Sequence, residues 1–108
     1  MGDWTINHHG EISIFISETG NDDYNFLVAL HELIEVWLCK RSGITQGDVD
    51  NFDMDYEKFR LLGDTSEPGD DYKAPYRDKH CIATGIERML CGIMKIPWVV
   101  YEETLENL

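Results

Sequence analysis

The chain has 108 residues, of which 43% are hydrophobic, and its 21 acidic residues outnumber nine Lys and Arg to give a formal charge of −12. This length predicts one globular domain over residues 1–108, because two halves would each be too small to bury a core. The acidic balance excludes direct binding to nucleic acid, which needs a basic surface, and the apolar runs are too short to cross a membrane.

The N-terminal residues predict a β-hairpin. Ile12, Ile14 and Ile16 alternate with other side chains, which is the two-residue period of a strand. Residues 4–7 are the expected partner strand, across a turn that contains Gly10. The segment has neither the basic start nor the apolar centre of a secretory signal, and the three cysteines lack CxxC spacing. Both features lead us to expect a cytoplasmic protein with reduced thiols.

Helical segments follow the hairpin. Apolar residues recur every three or four positions in two long segments, and turn-forming residues separate these from two shorter ones. The four predicted helices span residues 23–41, 52–62, 75–95 and 98–105. Residues 47–51 are predicted as a turn and residues 63–71 as a loop. Strands followed by helices predict an α+β fold that is mostly helical, with the β-hairpin ahead of two long helices.

The first long helix is expected to pack through its apolar side chains. These recur at helical spacing: Phe26, Leu27, Leu30, Leu33, Ile34, Trp37 and Leu38. Among them are His31, Glu32 and Glu35, polar groups that are costly to bury unless something binds them. His31 and Glu35 are one turn apart, so an imidazole nitrogen and a carboxylate oxygen can reach one ion from the same face. We therefore predict that both bind a divalent metal.

The stretch His31-Glu32-Leu33-Ile34-Glu35 resembles the HExxH helix of the zincin metallopeptidases, in which two histidines hold zinc and the intervening glutamate is the general base. Here Glu35 stands in place of the second histidine, and a carboxylate can also coordinate zinc. The resemblance implies Zn²⁺ as the cofactor, His31 and Glu35 as ligands, and Glu32 as the catalytic base of a zinc-dependent hydrolase.

The second long helix carries a matching stripe. His80, Thr84, Glu87 and Cys91 follow one another at intervals of three or four residues, and therefore share one face. We expect this face to meet the His31 face of the first helix. His80 is then the third metal ligand, and Glu87 is either a further ligand or a hydrogen-bond acceptor behind one. A purely structural site, closed by Glu87 or Cys91, is the alternative to a catalytic one.

Three pieces of the chain also resemble a group of small, largely uncharacterised phage and prophage proteins. These pieces are the HExxE helix, the loop Glu67-Pro68-Gly69-Asp70, and the dipeptide Pro75-Tyr76 followed by His80-Cys81-Ile82-Ala83-Thr84-Gly85-Ile86-Glu87. The resemblance brings no established activity. It implies that the three segments belong together in one fold, and that the protein acts in the cytoplasm of a host cell.

Two other interpretations stay open. Glu32-x-x-Glu35 and Glu67-x-x-Asp70 resemble the carboxylate pairs of the all-α nucleotide pyrophosphohydrolases, which bind magnesium between helices. The intervening Pro68-Gly69 disfavours a helix there, and magnesium would leave the histidines without a role. Alternatively, residues 48–71 hold nine acids against two bases, which suits a non-enzymatic interaction protein that binds a basic host protein surface.

Overall fold

A computed structural model describes residues 1–108 and shows an α+β fold. An antiparallel hairpin of β1 (Gly2–Ile6) and β2 (Ile12–Ile16) precedes four helices. These helices are α1 (Asp22–Arg41), α2 (Gln46–Lys58), α3 (Arg77–Ile93) and α4 (Trp98–Glu106). The predicted fold class and element order are thus confirmed. None of the four helices combines the length and the apolar content that a membrane span requires.

The hairpin packs against α1. Its register pairs Trp4 with Ile14, so the predicted two-residue period places these two side chains on one face. Trp4 is only 3% exposed and lies in a core cluster with Val36 and Cys39 of α1. Cys39 is therefore a packing residue, as free cysteines often are.

Helix α1 begins and ends where its sequence predicts. The side chain of Asn21 accepts a hydrogen bond from the Tyr24 backbone N–H, which is the usual role of a residue at this cap position. Acidic residues occupy the first turn, and Lys40 and Arg41 occupy the last turn, in agreement with the helix dipole.

Helix α2 corrects the prediction for residues 46–62. It begins at Gln46, six residues before the predicted start, and it ends at Lys58. Thr45 and Asp48 form a reciprocal capping box, in which each side chain accepts a hydrogen bond from the other residue's backbone N–H. The expected turn at residues 47–51 was wrong, because this pair starts a helix there.

The segment before α3 remains a loop with one tight turn. Pro68–Asp70 forms a single 3₁₀ turn, and no α-helix spans Glu67 and Asp70. Helix α3 begins at Arg77, two residues after Pro75, and ends at Ile93. The closing helix α4 lies where it was predicted.

The core consists of two apolar clusters that are separated by a polar layer. One cluster includes Trp4, Val36 and Tyr76, and the other includes Leu27 and Tyr101. Between the clusters, every buried residue of α1 and α3 except Ala83 is polar or charged. These are five of the 18 buried residues: His31, Glu32, Glu35, His80 and Glu87. Burial on this scale needs compensation by partners, by an ion, or by both.

The expected packing face of α1 was partly wrong. Phe26, Leu33 and Trp37 are 53%, 46% and 51% exposed, whereas His31 and Glu35 are buried. Apolar side chains occur on both sides of α1, and the side that carries the histidine faces the interior. The side of α1 that faces away from the interior therefore carries apolar side chains that no other part of the chain covers.

Candidate metal centre

Helices α1 and α3 lie antiparallel, and their polar stripes meet as predicted. His31 of α1 contacts Glu87 of α3, while Glu35, one turn further along α1, contacts His80 near the start of α3. Each helix therefore presents one imidazole to a carboxylate of the other. Ligand atoms of His31, Glu35 and His80 all lie within 4.8 Å of one another, so these three residues could hold a metal ion.

Glu35 stands at the centre of this group. Its Oε2 atom is 3.0 Å from His31 Nε2 and 2.9 Å from His80 Nδ1. Its other oxygen, Oε1, accepts a hydrogen bond of 3.1 Å from the indole Nε1 of Trp4 in the hairpin. The carboxylate of Glu35 is thus held by three hydrogen-bond partners, which come from α1, α3 and β1.

Glu87 lies behind His31. Its Oε1 atom is 2.8 Å from His31 Nδ1, the ring nitrogen that faces away from Glu35. The Tyr101 hydroxyl donates to the second oxygen of Glu87 and so fixes this carboxylate from α4. Of the two roles that the sequence left open for Glu87, this geometry favours the acceptor that orients His31. Cys91 lies in the apolar cluster with Leu27, outside the metal-binding group.

His80 has a similar arrangement, supplied by Glu67 and Asp70, which the zinc hypothesis did not include. Its outer nitrogen, Nε2, is 3.1 Å from Glu67 Oε2 and 3.3 Å from Asp70 Oδ1. Both carboxylates belong to the loop before α3, and together with His80 they form a second group that could hold a cation. The fold of this loop places them beside His80, and a loop has no sequence periodicity from which such a position could be predicted.

The carboxylates determine the charge of both imidazoles. Burial alone disfavours the charged form, but the hydrogen-bonded glutamates on either side outweigh it and raise the pKa of His31 and His80 to about 10. Burial likewise acts against the charge of Glu35, yet the two histidines lower its pKa to about 2. Without a metal, the centre is therefore a buried network of two imidazolium ions and their carboxylates.

Glu32, the predicted base, lies beside the network and is 9% exposed. Burial and the nearby charge of Glu35 raise the pKa of Glu32 to about 8. The backbone of Gly2 approaches it so closely that a Cβ atom there would be 2.7 Å from Glu32 Oε1. Only glycine at position 2 leaves room for this carboxyl group in its observed place.

A cavity of about 920 Å³ opens beside the centre. Its wall includes His31, Glu32, Glu35 and His80, as well as the loop residues Glu67 and Asp70, which bind the outer edge of His80. Ten of the lining residues are Asp or Glu, and none is Lys or Arg. The chain is thus large enough for a cleft at the predicted site, and this cleft attracts cations.

The chain was compared with protein-family models, with curated protein sequences and with solved structures, and none of them matches it.

The charge network makes the stability of the metal-free protein depend on pH. His31 and His80 have folded pKa values of about 10, above the ordinary 6.5, so their stabilisation is complete below pH 6.5 and is lost as the pH rises through 10. Glu32, with its pKa raised to about 8, acts in the same direction between its ordinary 4.5 and 8. The stabilisation from Glu35 is lost only as the pH falls from 4.5 through 2.

We expect the free energy of unfolding to fall by at least about 2 kcal/mol between pH 6.5 and pH 9. Urea titrations followed by tryptophan fluorescence, in the presence of a chelator, measure this change. The variant His8→Ala, which alters an exposed histidine in the hairpin turn, should show the same pH dependence. A stability that is constant or increases over this interval would contradict the charge assignment.

Proposed function

We propose that the protein binds one Zn²⁺ ion through Nε2 of His31, Oε2 of Glu35 and Nδ1 of His80. The supporting observation is the convergence of these three atoms from two helices. In a tetrahedral site with bonds of about 2 Å, neighbouring ligand atoms are roughly 3.3 Å apart. The distances of 3.0 and 2.9 Å from Glu35 to the two imidazoles need only a small expansion to accept the ion.

The surroundings of the histidines support this proposal independently. A histidine that binds zinc usually donates its second N–H to a carboxylate, which fixes the tautomer and the ring orientation. Here Glu87 lies behind His31, and Glu67 and Asp70 lie behind His80. Each imidazole can therefore release the proton that faces Glu35 and keep the other. The binding of zinc would replace up to two protons and preserve the outer hydrogen bonds.

A catalytic role follows from the number of ligands and from the cavity. Three protein ligands are typical of catalytic zinc, which activates a water molecule in the remaining position. Glu32 is adjacent to His31 in sequence and lines the same cavity as the three ligands. The pKa of Glu32 is raised to about 8 in the metal-free protein, and the positive charge of a bound Zn²⁺ would lower it. The ionised carboxylate would then serve as the base that accepts a proton from such a water molecule. The reaction we propose is hydrolysis of an amide or a similar bond.

The charge of the cavity limits the substrate class. A wall with ten carboxylates and no Lys or Arg suits neutral or cationic substrates and repels phosphates, which proteins normally bind through basic side chains or helix N-termini. Glu32, Glu35, Glu67 and Asp70 do line one cavity, as the magnesium hypothesis requires. However, a nucleotide would find no Lys or Arg there, and the two histidines are already paired with carboxylates, so we favour zinc and an uncharged or basic substrate.

Metal binding tests the proposal directly. The purified protein, stripped with a chelator and titrated with Zn²⁺ in a calorimeter, should bind about one ion per chain and gain thermal stability from it. His31→Ala and His80→Ala should each weaken binding by at least about 100-fold, because each removes a direct ligand. His8→Ala is the matched control and should bind as the wild type does. Elemental analysis of the three variants completes the comparison.

A folded wild-type protein that binds no zinc would overturn the proposal. If it then bound Mg²⁺ instead, the pyrophosphohydrolase alternative would gain support. If it bound neither ion, the acidic segment 48–71 would be the remaining guide to function. That alternative predicts salt-sensitive complexes with basic proteins.

A further inference from the structure

Two rows of apolar side chains cover the outer faces of α1 and α3. The exposed members are between 46% and 73% accessible, and they are Phe26, Leu33, Trp37, Ile82, Met89 and Ile93. Within each row, successive members are seven or four residues apart, which keeps them on one side of their helix. We call this surface the outer face.

The two rows form one continuous surface. By helical spacing, half-buried Leu30 and Ile34 fall between the exposed row of α1 and His31, which contacts α3. Ile86 and Leu90 likewise fall between the exposed row of α3 and Glu87. The hairpin and the cavity occupy the opposite side of the helix pair, where Glu32 and Thr84 line the wall. The outer face is therefore separate from the proposed metal centre.

The size of the outer face is that of a protein interface. Its six exposed side chains and their half-buried neighbours present roughly 600–800 Å² of apolar surface, given the 150–250 Å² of an aromatic side chain. Contiguous apolar patches on monomers rarely exceed a few hundred Å². Stable interfaces bury about 600–1,000 Å² on each partner, so the outer face is large enough to form one.

The distribution of charge indicates which partner fits. No charged residue falls within either row between its first and last members, in a chain that is 28% charged. Charges stand at the ends of the rows: Asp78 lies one turn before Ile82, Lys40 Nζ lies 6.0 Å from the centre of the Trp37 ring, and exposed Asp23 and Arg41 flank the α1 row. Asp23 and Arg41 are 18 residues, or five turns, apart and so lie on the same side of the helix. A complementary partner needs an apolar face with a basic residue opposite Asp23 and an acidic residue opposite Arg41. A second copy of this chain, placed antiparallel, has that arrangement.

We propose that the outer face is covered by a second copy of the chain, related by a two-fold axis. The α1–α3 pair of one copy then packs face to face on that of the other to form a four-helix bundle, and Arg41 of each copy lies against Asp23 of the other. Such a self-complementary interface is the commonest form of homodimer. A membrane surface is a poorer occupant, because helices that bind one usually carry Lys and Arg on their polar face.

Sedimentation velocity over a range of protein concentrations tests the proposal. The wild type should sediment at twice its 12.5 kDa mass at about 100 μM, whereas Trp37→Glu should weaken dimerisation at least about 100-fold. Phe15→Glu, which alters a 57% exposed aromatic residue on the hairpin, should leave the dimer intact. Circular dichroism and thermal unfolding check that each variant is folded.

Charge reversal tests the orientation. Asp23→Arg and Arg41→Asp should each weaken the dimer roughly three- to ten-fold, and the double variant should recover most of the loss. A monomeric wild type at about 100 μM would overturn the proposal, as would a dimer that survives Trp37→Glu. A double variant that is weaker than either single variant would overturn the antiparallel arrangement. None of these outcomes depends on whether zinc binds.

Discussion

Replacing Glu35 with Gln should remove metal binding and destabilise the fold at the same time. The substitution keeps the shape of the side chain but gives it an amide, whose NH₂ group cannot accept a hydrogen bond. Glu35 Oε2 accepts from both imidazoles, and Oε1 accepts from Trp4. At least one of these contacts must be lost, and two imidazolium ions would share a neutral partner.

We expect zinc affinity to fall by at least about 100-fold in Glu35→Gln, since a charged ligand is lost. The free energy of unfolding of the metal-free protein should fall by about 3–5 kcal/mol, the usual cost of leaving a buried ion without its partner. Calorimetric titration and urea unfolding measure the two effects separately.

Glu57→Gln is a suitable control for Glu35→Gln, because exposed Glu57, in the last turn of α2, pairs with Arg60 just beyond the helix. Exposed ion pairs contribute little to stability, so this variant should behave as the wild type in both measurements. If Glu35→Gln bound zinc as tightly as Glu57→Gln does, the ion would have to lie elsewhere, and the group formed by His80, Glu67 and Asp70 would be the next place to search.

The meeting of the two polar stripes was predictable, because the spacing of residues in the sequence determines which side chains share a face of a helix. His31 and Glu35 are four residues apart, and His80 and Glu87 are seven apart, so each pair must share a face of its helix. The start of α2 was also accessible. Thr45 and Asp48 have the spacing of a capping box, but the glycine and aspartates that follow suggested a turn instead.

The inward face of α1 could not be predicted in the same way. Phe26, Leu33 and Trp37 have the period of a core face, and in a single sequence they compete with Leu27 and Val36, which are the residues actually buried. Periodicity reports that a face is apolar, and it does not report what covers that face. If the outer face is covered by a second copy, both apolar rows have partners, and the ambiguity in the sequence has a physical cause.

The position of Glu67 and Asp70 was inaccessible for a different reason. Loop conformation depends on tertiary contacts that have no sequence period, and here the contact that matters is between Gly69 and the ring of His80. A Cβ atom at Gly69 would lie 2.5 Å from His80 Cγ and 2.7 Å from Nδ1. The loop can reach the histidine only because position 69 has no side chain.

Replacing Gly69 with Ala is therefore the second substitution from which we expect a large effect. The added methyl group cannot coexist with the imidazole, and the ring is confined on its other sides by hydrogen bonds from Nδ1 to Glu35 and from Nε2 to the loop carboxylates. Either the ring or the loop must move. Overpacking of this kind typically costs about 1–3 kcal/mol of stability, and displacement of one ligand should weaken zinc binding by at least about 10-fold.

Gly85→Ala provides the matched control for Gly69→Ala. Gly85 lies within α3, and a Cβ atom there would meet nothing within 4 Å. The alanine should therefore raise the free energy of unfolding by about 0.5–1 kcal/mol through helix propensity and leave zinc binding unchanged. Opposite changes in stability from the same chemical substitution would isolate the contact with His80 as the cause. If Gly69→Ala bound zinc as tightly as Gly85→Ala does, the loop would not hold the histidine in place, and Glu35 alone would have to orient it.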